Sequence, residues 1–278
     1  MKLRLCDLGS MDYGRCWELQ RQLFDALVAA KTPARTPSAP HEAGKRAHRT
    51  EQTPATAPEC NPAASGGPAE EAGTLLMVEH PPVYTLGKSG HAENLLIGRE
   101  TLERLGARFY HIDRGGDITF HGPGQLVVYP ILDLERLGIG LREYIAALEE
   151  CVIRCAAHYG LRTGRIAGAS GVWLGAGTDY GPAATTDAAA RCLGTAADGP
   201  TRKLCAIGVR SSRYITMHGF ALNVATDLVW FERINPCGFR DRGATSLERE
   251  TGRTIAMEEV KSLVAKNLSE ILNVEIYK

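Results

Sequence analysis

Apolar and polar residues alternate with a period near two through KLRLCDLG, and apolar residues then recur every three or four positions. This predicts a strand followed by an amphipathic helix over Asp12–Ala30, with Trp17, Leu23 and Leu27 close to one face. The same pattern gives strands at TLLMVEH and VYTLGK, joined through His80-Pro81-Pro82. A short helix at Glu100–Leu105 follows, then strands at RFYHID and LVVYPILDL. Leu141, Ile145, Leu148, Val152, Cys155 and Tyr159 mark one stripe of a helix. KLCAIGVRSS and YITMHGFALNV are strand-like, and Met257, Val260, Leu263, Val264, Leu268 and Ile271 define a final amphipathic helix. Strands meeting several helices without regular βαβ alternation predict an α/β (α+β) fold, a mixed β-sheet flanked by helices. No internal repeat is visible.

Two stretches break the pattern. Residues 32–73 contain no Ile, Leu, Val, Met or aromatic residue and hold half of the chain's 14 prolines. Such a segment cannot bury enough apolar area to offset its ordering entropy, so a disordered insertion is expected at 32–73. Residues 176–200, AGTDYGPAATTDAAARCLGTAADGP, are nearly as poor and predict a flexible loop.

Composition narrows the class. With 278 residues the chain suits one large domain or two small ones. Lys+Arg and Asp+Glu both number 32, so no global charge draws it to nucleic acid or an anionic membrane. No apolar run approaches a membrane span, and MKLRLCDLGSMDYGRC lacks the organisation of an export signal. The expectation is a cytoplasmic protein whose eight cysteines are mostly reduced, small and buried. Paired ligand spacings are missing, so no metal site is expected.

Three segments carry candidate chemistry. In Arg114–Gln125, RGGDITFHGPGQ, four glycines allow close backbone approach, while Arg114 and His121 offer a cation and a hydrogen-bonding ring. A tight turn with an incidental histidine fits the Gly-Pro-Gly equally well, and neither GxGxxG nor GxxxxGK[ST] is present there. In KLCAIGVR, Lys203 enters an apolar strand, where an ammonium is costly unless paired, neutralised or snorkelling to water. In Asn235-Pro-Cys-Gly-Phe239, Pro236 and Gly238 place Cys237 in a sharp connection that presents a side chain. A cation near that thiol would raise its thiolate fraction, whereas a buried structural cysteine is the ordinary alternative.

The strings DRGGDITFHGPGQLVVYPILDL, GVWL, RKLCAIGVR, HGFALNV and INPCGF, in this order, closely resemble the lipoyl(octanoyl) transferase family. The match runs from EHPPVYTLGK through GATSL; the 32–73 and 176–200 stretches do not fit its pattern. The resemblance implies one octanoyltransferase domain over 1–278, resembling the catalytic domain of biotin and lipoate protein ligases. It implies transfer of an octanoyl group from octanoyl-acyl carrier protein to a specific lysine, with no cofactor. The acceptors implied are lipoyl domains of 2-oxoacid dehydrogenases and the glycine-cleavage H protein. Cys237 would form the acyl thioester and Lys203 would activate it. The substrate pocket would come from Arg114, Gly115, Gly116, Asp117, Ile118, Thr119, Phe120 and His121, with Ala206, Ile207, Gly208, Gly219, Phe220 and Ala221. His121 and His218 could each bind the thioester or fix a loop, the latter favoured for His218. Arg142, Arg165, Arg210 and Arg213 are candidates for a basic rim that docks an acidic carrier. Competing readings are an ATP-dependent lipoate or biotin protein ligase, which needs no nucleophilic cysteine, and a non-catalytic binding module on the same scaffold.

Overall fold

The computed structural model describes residues 1–31, 70–180, 199–235 and 243–278. The chain opens with β1 (Lys2–Ser10) and α1 (Tyr13–Ala30), where the Asp12 carboxylate accepts from the backbone of Gly14 and Arg15 and so caps the helix. β2 (Glu71–Glu79) and β3 (Val83–Leu86) are followed by α2 (Arg99–Arg104), β4 (Arg108–His111), β5 (Ile118–His121) and β6 (Gln125–Leu132). Next come α3 (Leu134–Leu137), α4 (Leu141–His158), β7 (Gly164–Ile166) and β8 (Ala169–Leu174). The remaining elements are β9 (Arg202–Ser212), β10 (Ile215–Asn223), β11 (Gly243–Ala244), α5 (Leu247–Thr251), α6 (Met257–Leu272) and β12 (Glu275–Tyr277).

Among the described residues nine strands form a mixed sheet in the order β12-β1-β2-β6-β10-β9-β8-β7, with β11 paired to β9. Every residue of β6 and β10 is buried, which explains the apolar run LVVYPIL of β6. One face packs under α4 and α6 around Leu148, Val152, Leu222, Val260 and Val264; the other packs under α1 around Leu23, Phe24, Val127 and Met217. A second sheet, β4-β3-β5, stands apart over its own core of Tyr84, Ile118 and Phe120.

The expected mixed sheet with flanking helices is present, but the small sheet was not foreseen. The strands expected at VYTLGK and RFYHID are its β3 and β4, but β3, β4 and β5 pair only with one another, an arrangement that no pattern within a four-residue strand encodes. The expected insertion at 32–73 ends earlier than the composition suggested: β2 begins at Glu71, and Ala72 is fully buried and accepts a hydrogen bond from Asp133 N at 2.7 Å. Gly73 carries no alkyl signal yet pairs with Leu3 on one side and Leu132 on the other. Residues 32–69 lie outside the described residues. Likewise the base of the 176–200 loop is fixed, because Asp179 exchanges two backbone hydrogen bonds with Arg165 and Ala176 N donates to Gly199 O. Residues 181–198 lie outside the described residues.

Cys16, Cys151, Cys155 and Cys205 are free and buried, as expected of small apolar residues, whereas Cys6 is disulfide-bonded. No described helix is long and apolar enough to cross a membrane.

Candidate active site

The small sheet lies against β9 and β10, and a narrow cavity runs between them. Gly115 N donates to Val209 O at 3.2 Å, docking the RGGD segment onto β9. This approach requires Gly208: a Cβ there would lie 2.8 Å from Arg114 Cδ and 2.9 Å from Gly115 O. Its cross-strand partner Gly219 is closed off on the other side, where a Cβ would collide with Val128 O and lie 2.6 Å from Pro130 Cδ. Glycine at both positions lets the sheet and loop close to backbone contact.

Arg114, Thr119, His121, Ala206, Ile207, Gly208, Gly219, Phe220 and Ala221 line the cavity. The other expected pocket residues do not. Ile118 and Phe120 point to the far side of β5, where Phe120 stacks on Trp230 at 4.9 Å. Alternation along a strand sends Thr119 and His121 one way and their neighbours the other. Asp117 supports the loop instead: its carboxylate accepts from Asn94 Nδ2 at 2.6 Å and Ile118 N at 2.7 Å. Gly115 and Gly116 form the turn that brings the Arg114 guanidinium onto the carbonyls of Thr85, Gly115 and Asp117.

Tyr13, Val127 and Tyr129, which no sequence motif marks, also line the cavity, as does His218. Tyr13 comes from the first turn of α1 and stacks on His121 at 6.0 Å. His80 donates through Nδ1 to Met11 O at 2.7 Å and accepts from the Tyr129 hydroxyl at 2.9 Å. His121 donates through Nδ1 to Gln125 Oε1 at 2.8 Å, since the Gln125 amide nitrogen is engaged by Phe120 O and Asn223 Oδ1. Burial holds both rings neutral, pushing His80 down to about 4 and His121 down to about 3, the latter with help from His80 nearby. The Tyr129 and Tyr13 hydroxyls are pushed up by the same burial.

Lys203 lies at one end of this arrangement, six residues before Val209 along β9. It is half-buried, and its ammonium sits 4.4 Å above the Trp173 ring, a cation–π contact that offsets part of its desolvation. Lys203 pairs with Ala244 of β11, and Thr245 N donates to Lys203 O at 2.9 Å. Behind it, Arg202 forks onto Glu250 at 2.5 and 2.7 Å, and Thr245 Oγ1 donates to the same carboxylate at 2.6 Å. Cys237 is outside the described residues, but both flanks of its segment are fixed. Asn235 N donates to Asn94 O at 2.8 Å, and Gly243 N donates to Thr201 O at 3.0 Å.

The four free described cysteines are unsuited to nucleophilic chemistry. Burial pushes Cys16 and Cys155 up to about 12 and raises Cys151 and Cys205 as well. Two of the candidate rim arginines are engaged within the molecule: Arg165 with Glu149 and Glu150, and Arg210 with Asp113.

Residues 64–269 match the Lipoyl protein ligase A/B catalytic domain. An Octanoyltransferase of Bacteroides fragilis is 44% identical over 268 residues, covering 96% of this chain and 97% of the relative. An Octanoyltransferase of Flavobacterium johnsoniae is 44% identical over 276 residues, covering 99% and 98%. Among solved structures, the bi-partite lipoate protein ligase of Thermoplasma acidophilum superposes with a TM-score of 0.60 at 13% identity, covering all of this chain and 86% of that one. A lipoate-protein ligase A bound with ATP gives 0.52 at 14% identity over 74% of each chain, which is a likeness of fold. The chain belongs to the Lipoyl protein ligase A/B catalytic domain family, on its octanoyltransferase branch.

Proposed function

We propose that this chain is an acyltransferase of protein lipoylation that carries an octanoyl group from acyl carrier protein to a lipoyl-domain lysine through a thioester on Cys237. Relatives matching nearly its whole length are named Octanoyltransferase, which supports the acyl group and the reaction class. The observation that supports the route is the anchoring of β11, directly after the Cys237 segment, beside Lys203. The other described thiols are closed to this role by burial or, at Cys6, by a disulfide.

In this reading the Cys237 thiolate attacks the carrier-bound thioester carbonyl, and the carrier thiolate leaves. Lys203 stabilises the Cys237 thiolate first. Its ammonium gives a proton to the departing carrier thiolate, and the neutral amine so left takes a proton from the acceptor lysine as that lysine attacks the acyl-enzyme and the Cys237 thiolate departs. Exchange between thioesters is nearly isoenergetic and amide formation is downhill, so no ATP is consumed. The acyl chain lies along Ala206–Gly208, opposite Gly219–Ala221. The cavity is about 30 Å³ as it stands, too small for eight carbons, so Arg114, which lies over Gly208, withdraws as the chain enters.

Incubation with octanoyl-acyl carrier protein followed by intact mass measurement tests the route. The wild-type chain gains one octanoyl group that hydroxylamine removes, and Cys237→Ser gains none. Lys203→Ala loses about 10²- to 10⁴-fold in kcat, the range expected for a general base. A thioester adduct persisting in Cys237→Ser would overturn the assignment.

A further inference from the structure

The neighbour of β9 changes at Asn223. β10 pairs with β9 as far as Leu222 and ends at Asn223, and β11 then lies beside Arg202 and Lys203. Between β10 and β11, residues 224–242 leave the sheet, and Cys237 belongs to that excursion. Asn223 joins its two ends. Asn223 Nδ2 donates to Thr245 O at 2.9 Å, and Thr245 N donates to Lys203 O at 2.9 Å. Both Asn223 and Thr245 are buried, so a bond lost there leaves a carbonyl unmet rather than returned to water.

The polarity of this contact carries further into the molecule. A carbonyl only accepts, so the amide turns Nδ2 to Thr245 and Oδ1 to Gln125, whose Nε2 donates to it at 2.9 Å. Gln125 in turn presents Oε1 to His121 Nδ1 at 2.8 Å in the cavity wall. On the other side, Thr245 Oγ1 donates to Glu250, the carboxylate on which Arg202 forks. One buried amide thus connects the cavity wall, the strand of Lys203 and the return of the Cys237 segment. The strand pairing of Asn223 with Gln125 needs only the main chain, whereas the bond to Thr245 O needs a side-chain donor of this length. We propose that Asn223 is a positioning residue, which fixes β11, and with it the return of the Cys237 segment, against Lys203. This rests on the thiol–lysine chemistry proposed above. A thiol held out of place loses the cation that raises its thiolate fraction, and a displacement of about 1 Å costs up to about 10²-fold in rate.

The experiment follows alkylation of Cys237 by iodoacetamide against pH, read on its own peptide by mass spectrometry, together with kcat for octanoyl transfer. Lys203→Ala is expected to move the alkylation midpoint up toward about 8.5, the ordinary thiol value. Asn223→Leu keeps the bulk and Asn223→Ala removes it, and neither brings a donor or a charge. Both are expected to move the midpoint up by about half a pH unit or more and to lower kcat about ten- to hundredfold. Asn267→Leu is the matched control. Asn267 is also buried, and its Nδ2 donates to Cys151 O at 3.3 Å where α6 packs on α4, so its loss should lower the urea midpoint without moving the Cys237 midpoint or kcat. An unmoved Cys237 midpoint and kcat in the Asn223 variants, with Lys203→Ala shifted, would overturn this inference alone. A shift in Asn267→Leu as large as in Asn223→Leu would show general loosening and overturn it as well. An unmoved midpoint in Lys203→Ala would overturn the thiol–lysine reading and this inference with it.

Discussion

The paired glycines of the cavity make opposite demands on a substitution. At Gly219 an added Cβ meets Val128 O and Pro130, which belong to the central strand β6 and cannot retreat without moving the core. Gly219→Ala should therefore destabilise the protein by about 1–3 kcal/mol, the scale of overpacking, read as a lower urea midpoint. At Gly208 the nearest atoms are the Arg114 side chain and Gly115 O at 2.9 Å, both of one loop that can shift without moving β6 or β10. Gly208→Ala should leave the urea midpoint within about 1 kcal/mol of the wild type and act mainly on KM for the acyl donor. A larger loss of stability at Gly208 than at Gly219 would contradict this assignment of backbone and side-chain walls. The RGGDITFHGPGQ, KLCAIG and HGFAL strings identified both glycines, because their segments carry the resemblance. The sequence did not show which wall each glycine faces, since the answer depends on β6 and on a loop more than 90 residues from Gly208.

Helix α1 supplies the cavity with Tyr13, yet its sequence gave no hint of a site. Its apolar stripe was legible from Trp17, Leu23 and Leu27, but the use of its first turn depends on which strand end it meets. Asp12 makes that connection. One carboxylate oxygen caps Gly14 and Arg15, and the other pairs with Arg108 of β4 at 2.7 Å, tying the helix start to the small sheet. Asp12→Ala should cost about 1 kcal/mol through the lost cap, with little added by the exposed ion pair. Asp12→Asn keeps a capping oxygen and should recover most of that loss; urea unfolding of both variants decides. Two strands of the small sheet were legible, at VYTLGK and RFYHID, but their pairing with β5 apart from the main sheet was not, because partner choice depends on contacts distant in sequence. Ile118–His121 already contains the alternation that places Thr119 and His121 in the cavity and Ile118 and Phe120 behind it.

Across the whole molecule, three elements distant in sequence bring His80, His121 and His218 into one interior region, beside Tyr13, Tyr129, Arg114 and Asp113. Burial lowers all three histidine pKa values, His80 to about 4 and His121 to about 3. The folded chain therefore binds their protons less readily than the unfolded chain, in which each titrates near 6.5. Their stabilising contribution is complete above pH 6.5, and it declines as pH falls toward the folded values because the unfolded state then holds more protons. The lowered carboxylates Asp113, Glu150 and Glu250 add to this loss only below their ordinary range near 4. Between pH 6.5 and 5 the buried histidines consequently dominate, His80 and His121 each contributing a slope approaching about 1.4 kcal/mol per pH unit and His218 adding in the same direction. Urea midpoints should fall steadily across that interval and be nearly flat from pH 7 to 8. His121→Gln retains a polar side chain but removes one titration, so it should lower stability at pH 7 and flatten the decline between pH 6.5 and 5. A decline of unchanged slope in that variant would show that His121 does not stay neutral in the folded interior.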